Sequence, residues 1–335
     1  MHLVKANTKH QNKIDSVDTI KFVDELIASS GCENTSRAYA NDLRVFWSWA
    51  KIKHGVSPHY PCRQDLILSF ILKHSARPEP LIDQQLVELG IRAKTGPYKI
   101  SSLRRIINTL SREHTIRNIT NSASSPKIRL LLRNLAKKYP HLKKVQKKAI
   151  TVDILHAMRA TCSNSLTDKR DKALLSTMFA AGGRRRSEIV SLQFSDVVQT
   201  MKGYELTFRK TKTTDSLTIP IQGKAAKDLH EWLEASDIQD GAVFRSIIGK
   251  YKVSEKPLQD RWVHRIIQNR LSKAGFDPKG FSAHSIRAGF VTSCAKAGIT
   301  LAETMKMSAH KTHAIALDYY RPGDLVISPT ALIME

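Results

Sequence analysis

Between residues 16 and 150 no stretch alternates apolar and polar side chains with the period of two that a half-buried strand requires. The apolar residues there recur at helical spacing instead. In "ENTSRAYANDLRVFWSWAKIKHG", Tyr39, Leu43, Phe46, Trp47 and Ala50 form one stripe. Asn34 or Thr35 is placed to cap the start of this helix, and Gly55 to close it. Arg37, Arg44 and Lys51 recur every seven residues and share another face. That face suits either solvent or a row of phosphate contacts. "RQDLILSFILKHSA", a stretch near residues 80–93, "PYKISSLRRIINTLSREHT" and "SPKIRLLLRNLAKKYP" continue the pattern. Residues 16–136 are therefore expected to form an all-helical bundle of four or five helices, behind a flexible, polar segment over residues 1–15.

Six of the twelve residues from Lys137 to Lys148 are lysine, and Pro140 interrupts the run. Residues 137–150 read as an exposed basic linker between domains. Residues 151–335 are mixed. "TVDILHAMRATC", "TDKRDKALLSTMFAAGG", "GKAAKDLHEWLEAS", "QDRWVHRIIQNRLSKAG", "SAHSIRAGFVTSCAKAG" and "TLAETMKMSAH" read as helices, with Gly275 and Gly298 as helix-ending residues. "YELTFRK" and "DSLTIPI" alternate, and "TKTT" joins them into a hairpin. The expected fold is mainly α with a small β-sheet.

A length of 335 residues allows two domains, each with its own core. A formal charge of +24 opposes compaction and calls for a polyanionic partner, nucleic acid first. No apolar run reaches the length of a membrane span, and the N-terminus lacks a signal-peptide core, so no membrane partner is expected. Cys32, Cys62, Cys162 and Cys294 are scattered without CxxC pairing, which fits reduced thiols in the cytoplasm. His310 and His313 lie three apart with no third ligand near them in sequence, so no metal is expected.

The second region carries several polar signals that a plain core would not need. "GGRRRSEIVSL" sets Arg184, Arg185 and Arg186 at a helix start, where the macrodipole disfavours cations and an anion would relieve the conflict. "AHSIRAGF" places His284 and Arg287 on one face. Lys212 sits at the hairpin tip, and His310 precedes the pair Tyr319 and Tyr320.

That order and spacing resemble the tyrosine recombinases, the phage- and transposon-type integrases. In that family an arginine stands two residues before Ser-Glu, which here gives Arg185, with Glu188 as the acid three residues on. "RKTKTT" resembles the strand-hairpin lysine, giving Lys212, and "HSIR" matches the His-x-x-Arg box, giving His284 and Arg287. His310 lies twenty-three residues beyond Arg287, and Tyr319 nine further, at the place of the nucleophile. Two departures stand out: Arg184 occupies a place that is usually apolar, and Ala309 one where glycine is common. "NTSRAYANDLRVFWSWA" is similar to the helix that opens the family's core-DNA-binding domain, so residues 16–136 correspond to that domain and residues 151–335 to the catalytic domain, with a C-terminal segment after the nucleophile.

The resemblance implies a site-specific recombinase that cuts and rejoins DNA through a 3′-phosphotyrosine, without cofactor or metal. Two forked guanidiniums, Arg185 and Arg287, suit the charge that builds on the non-bridging phosphate oxygens. His310 would add a hydrogen bond, Lys212 would act as general acid, and His284 and Glu188 would orient the arginines and help accept the tyrosine proton. Arg37, Arg44, Lys51, Arg104, Arg105, Lys143 and Lys144 are the candidate DNA contacts. A tetramer on double-stranded DNA is implied, weakly associated or monomeric when free, with accessory DNA-bending or directionality factors and a nucleoid-associated location. A type IB topoisomerase-like enzyme and a non-catalytic DNA-binding relative are the alternatives.

Overall fold

The computed structural model describes residues 33–143, 145–209 and 216–310, together with positions 312, 313 and 317. The chain divides into two compact units, Met1–Val145 and Gln146–Glu335. Each has its own apolar core.

Among the described residues of the first unit five α-helices carry the core: α1 (Glu33–His54), α2 (Gln64–Lys73), α3 (Pro80–Glu88), α4 (Ile100–Ile116) and α5 (Pro126–Lys138). The later part of the α1 stripe is buried, with Phe46 and Ala50 fully inaccessible and Trp47 nearly so beside Trp49, whereas Tyr39 and Leu43 are half-buried. Phe46 and Trp49 meet Phe70 of α2 edge-on, at centroid separations of 5.1 and 5.2 Å. Asn34 and Thr35 lie inside α1 and do not cap it, a correction to the expected start. Gly55 follows the last turn with φ +68. α5 starts as its sequence dictates, with Ser125 Oγ accepting from the Ile128 amide and Pro126 in the first turn.

The stretch read as a linker is anchored at both ends. Leu142 is buried in the first core, whereas the Lys148 amide donates to the Gly280 carbonyl (2.9 Å) and the Ile150 amide to that of Ser285 (2.8 Å) in the second unit. The lysine count masked these two apolar anchors.

The second unit contains α6 (Val152–Ala160), α7 (Leu166–Ala180), α8 (Arg186–Val190), β1 (Val197–Thr200), β2 (Gly203–Arg209), β3 (Ser216–Gln222), α9 (Gly223–Ser236), β4 (Arg245–Ile248), β5 (Lys252–Pro257), α10 (Asp260–Lys273), α11 (His284–Lys296) and α12 (Leu301–Ser308). Strands β1, β2 and β3 form an antiparallel sheet in that order, with Leu206 opposite Ile219. Tyr204, Leu206 and Phe208 alternate inward onto the core, as the sequence pattern requires. The short β1 and the β4–β5 ribbon escaped the sequence reading because neither buries an alternating apolar face. Two buried carboxylates lock helices together. Asp171 bridges α7 to Arg270 of α10, and Asp228 of α9 receives Arg159 of α6 and Ser176 of α7. No described helix is long and apolar enough to cross a membrane.

Candidate active site

The site is built around a glycine turn. After α7 the chain passes through Gly182 and Gly183, at φ +84 and +69, and both are pressed against neighbouring backbone. A Cβ on Gly182 would lie 2.2 Å from the Met307 carbonyl oxygen, and one on Gly183 would lie 2.4 Å from Arg287 Cα. Only glycine combines this conformation with such close approach. α11 is gripped from another side as well, because a Cβ on Gly289 would lie 1.7 Å from the Ile150 carbonyl oxygen. These contacts fix the spacing between the arginines that follow Gly183 and the α11 face that carries Arg287.

Arg185 precedes the single turn of α8. The Glu188 carboxylate accepts from its backbone amide at 3.0 Å and from Nη1 at 2.5 Å, which holds the guanidinium in place. Burial works to raise the Glu188 pKa, but these hydrogen bonds and the charges of Arg184 and Arg185 outweigh it, so the carboxyl is held below its ordinary value. Arg184 turns inward and is only 1% exposed. Its Nη2 donates to the Met307 carbonyl at 2.7 Å, its guanidinium lies 5.5 Å from the Phe208 ring centroid, and Nη1 is 3.9 Å from Glu188 Oε2. Nε has no hydrogen-bond partner among the described residues. Burial depresses the Arg184 pKa, with Glu188 opposing that shift.

Arg287 is 3% exposed on the first turn of α11, three residues after His284. Its Nη1 donates to the Gly183 carbonyl at 3.3 Å and its Nε to His310 Nε2 at 3.1 Å. Since a guanidinium only donates, Nε2 of His310 is the acceptor, and its proton resides on Nδ1, facing Ser308 Oγ at 2.7 Å. Burial, followed by the charges of Arg287, Arg185, His284 and Arg184, pushes the His310 pKa down to about 4. The imidazole is therefore neutral at pH 7. Ala309, in the left-handed conformation at φ +52, ends α12 and delivers His310.

Arg184, Arg185, Arg186, His284 and Arg287 open onto one cleft of about 500 Å³, where Asp260 is the single acid among the described residues. Arg186 lies 3.9 Å from that carboxylate. A hollow with this balance of charge suits a phosphodiester, whose oxygens would take the forked donors. Asp260 and His264 of α10 also line the cleft, and the sequence reading missed them. Their spacing of four residues at a helix start was the only available signal, and it is a weak one.

The other expected site residues are placed as follows. Lys212, Tyr319 and Lys144 lie outside the described residues, as do Tyr320, the segment 1–15 and the stretch after Tyr319. The strands flanking Lys212 are paired up to Arg209 and Ser216. Arg37, Arg44, Lys51, Arg104, Arg105 and Lys143 belong to the first unit and are exposed. Arg105 and Arg44 hold structure. Arg105 Nη1 donates to the buried Asp42 carboxylate at 2.9 Å, tying α4 to α1, and Arg44 Nη2 donates to the Gly90 carbonyl at 3.3 Å.

Comparison with known proteins points the same way. Residues 148–324 match the phage integrase family. An integrase/recombinase xerD homolog of Selenomonas ruminantium is 26% identical over 316 residues, covering 89% of this chain and 84% of the relative. Tyrosine recombinase XerD of Proteus mirabilis is 24% identical over 318 residues, covering 92% and 90%. Among solved structures, a lambda integrase dimer bound to a COC′ core site aligns with a TM-score of 0.57 at 16% identity, covering 93% of this chain and 97% of that one. The Tn1549 transposon integrase in complex with transposon right end DNA aligns with a TM-score of 0.59 at 14% identity, covering 89% and 93%. These two share the fold.

Proposed function

Because the chain belongs to the phage integrase family, the tyrosine recombinases, we propose that it is a site-specific recombinase, cutting and rejoining DNA strands through a covalent tyrosine intermediate. The observation that carries the assignment of residues is the convergence of Arg185, Glu188, Arg287 and His310 beside a cleft dominated by positive charge. The Tyr319 phenol oxygen attacks phosphorus, and the bond from phosphorus to the 5′ oxygen breaks. A 3′-phosphotyrosine and a 5′ hydroxyl result. Lys212 supplies the proton to the departing oxygen, while His284 helps take the phenol's proton. Arg185 and Arg287 bind the two non-bridging oxygens as their charge grows, the kind of preorganised donation that usually forms the largest catalytic contribution.

His310 joins as a donor once phosphate is bound. In the free protein its Nε2 is occupied by Arg287. An arriving phosphate draws the Arg287 guanidinium to itself and favours a protonated imidazole, so the histidine becomes a donor at the moment a charged oxygen is present. Glu188 acts by positioning Arg185. The family's dimers and tetramers on DNA, as in the lambda integrase complexes, support DNA binding and self-assembly. We assign the strand exchange to a tetramer.

Covalent capture tests this reading. Cells expressing the protein are denatured, protein-bound DNA is recovered and trimmed, and the adduct is located by peptide mass spectrometry. An adduct on Tyr319 that disappears in Tyr319→Phe is the expected result. An adduct on Tyr320 keeps the chemistry and moves the nucleophile. DNA binding with no adduct, when the sites recovered in the same cells are supplied in vitro, sinks the enzymatic reading.

A further inference from the structure

The ribbon formed by β4 and β5 has no part in the mechanism, yet it stands beside the cleft. Among the described residues the two strands pair only with each other, Ile247 opposite Val253 and Ile248 opposite Lys252, which leaves Gly249, Lys250 and Tyr251 as the tip. An isolated two-stranded ribbon is marginal in water unless something holds it. Here the base is held. Ile247 and Val253 pack on the core, and Arg245 braces the strand by donating from Nε to the Ala242 carbonyl at 3.0 Å and from Nη2 to the Asp240 carboxylate at 3.0 Å.

Beyond that base the ribbon contributes nothing to the core. Ile248 is 59% exposed and Tyr251 88%. Lys250, Lys252 and Lys256 are exposed around them, and Glu255 is the single acid between Arg245 and Pro257. β5 ends at Pro257, and after two intervening residues the chain enters α10, whose Asp260 and His264 line the arginine cleft. A shallow hollow containing Pro257, Gln259 and Asp260 shares Ser187 and Asp260 with that cleft, so the foot of the ribbon forms part of the cleft's rim. The first turns of α10 extend the same chemistry outward. Arg261 and Trp262 are exposed, and the Arg265 guanidinium sits 4.6 Å from a Trp262 ring centroid.

Exposed apolar groups set among lysines select between occupants. A protein partner would have to desolvate Lys250 and Lys252 to reach Tyr251, and lysine is depleted from the cores of protein interfaces. A duplex accepts both at once, because lysines meet phosphates while the apolar groups lie against sugars and base edges in a groove that a two-stranded ribbon can enter. We propose that the β4–β5 ribbon is a second DNA-contacting element of the catalytic unit. Lys250, Lys252 and Lys256 engage phosphates of the flank beside the cleft, and Tyr251 with Ile248 lies in the adjoining groove. This rests on the recombinase reading and adds to it a surface that grips DNA beyond the scissile phosphate.

The test uses the full chain and a fluorescein-labelled, short mixed-sequence duplex, followed by anisotropy across a series of KCl concentrations. Each phosphate contact adds about 0.9 to the slope of log affinity against log salt, so K250A/K252A/K256A is expected to flatten the slope by about 2 to 3. Tyr251→Ala is expected to weaken binding with the slope unchanged. A control triple, K202A/K224A/K227A, removes the same charge from exposed lysines outside the cleft and is expected to change the slope by less than about 1. An equal flattening by the control reduces the ribbon to its share of net charge and overturns the proposal. So does an unmoved slope in the ribbon triple, and so does a change confined to self-association in sedimentation. A wild-type chain without salt-dependent binding overturns the recombinase reading itself, a result distinct from an unmoved slope in a wild type that binds.

Discussion

Gly183→Ala isolates what the glycine turn does for the site, because Gly298 supplies a matched control. Both residues sit at left-handed φ, +69 and +73, in the same unit. A Cβ on Gly298 meets nothing within 4 Å, whereas one on Gly183 lies 2.4 Å from Arg287 Cα. Gly298→Ala therefore carries only the left-handed penalty, about 1–2 kcal/mol. Gly183→Ala carries that and an overlap with a backbone atom that no rotamer change can relieve, a further ~1–3 kcal/mol. To restore even a tight contact of 3.4 Å, α11 must retreat by about 1 Å, which is 3.4 less 2.4. A misplacement of that size between Arg185 and Arg287 is expected to slow covalent complex formation about 100-fold. Hydrogen exchange in α7 and α11 peptides reads the stability difference within the second unit, without assuming that both units unfold together. Trapping of the tyrosine adduct reads the rate. Equal stability losses in the two variants, with wild-type trapping by Gly183→Ala, would refute the claim that this turn sets the distance between the guanidiniums.

Ala309→Gly is expected to stabilise the second unit by about 0.5–1 kcal/mol, since relief of the left-handed strain exceeds glycine's added entropy cost, and exchange rates in α12 measure it. The ring protons of His310 are expected to titrate near pH 4 in the free protein, and higher with DNA bound. Because the folded value lies below the ordinary 6.5, stability from this group is complete above about pH 6.5 and drains away as pH falls towards 4; an unshifted NMR midpoint with and without DNA contradicts that. Arg184→Met is expected to destabilise the second unit by about 1–3 kcal/mol, since methionine fills a similar volume and Glu188 keeps Arg185, but the Met307 carbonyl loses its donor. It is also expected to displace the His310 titration, and an unchanged midpoint would mean that Arg184 only fills space.

The helices were legible because their apolar residues recur at a spacing that burial enforces, as Phe46 and Ala50 of α1 show. The β2–β3 pairing was legible for the same reason, through Leu206 and Phe208 on one strand and Ile219 and Ile221 on the other. The β4–β5 ribbon was not, since its residues face solvent and carry no pattern. Short motifs placed Arg185, Glu188, His284 and Arg287 in sequence, but much of their surroundings arises from long-range contacts, some over a hundred residues apart. Nothing local says that Asp260 and His264 join the cleft, that Arg105 is spent on Asp42, or that the Gly183 carbonyl meets Arg287. Chain topology decides such partners, and a window of sequence does not contain it.

Arg184 is where the local and the long-range readings meet. A buried arginine in place of an apolar residue looks like a liability, since desolvating a guanidinium costs several kcal/mol unless it is paired. Yet its three contacts fall on the three stretches whose relative placement the proposed chemistry needs. Glu188 holds Arg185, Phe208 ends the inward face of the strand leading to Lys212, and the Met307 carbonyl lies three residues before His310. The Met307 bond also places a cation at the C-terminal end of α12, where the helix dipole favours it. An apolar side chain could fill the same volume but could not donate to a carbonyl or face a carboxylate. The charge therefore offsets part of its own burial by tying together segments that packing alone would leave freer to shift.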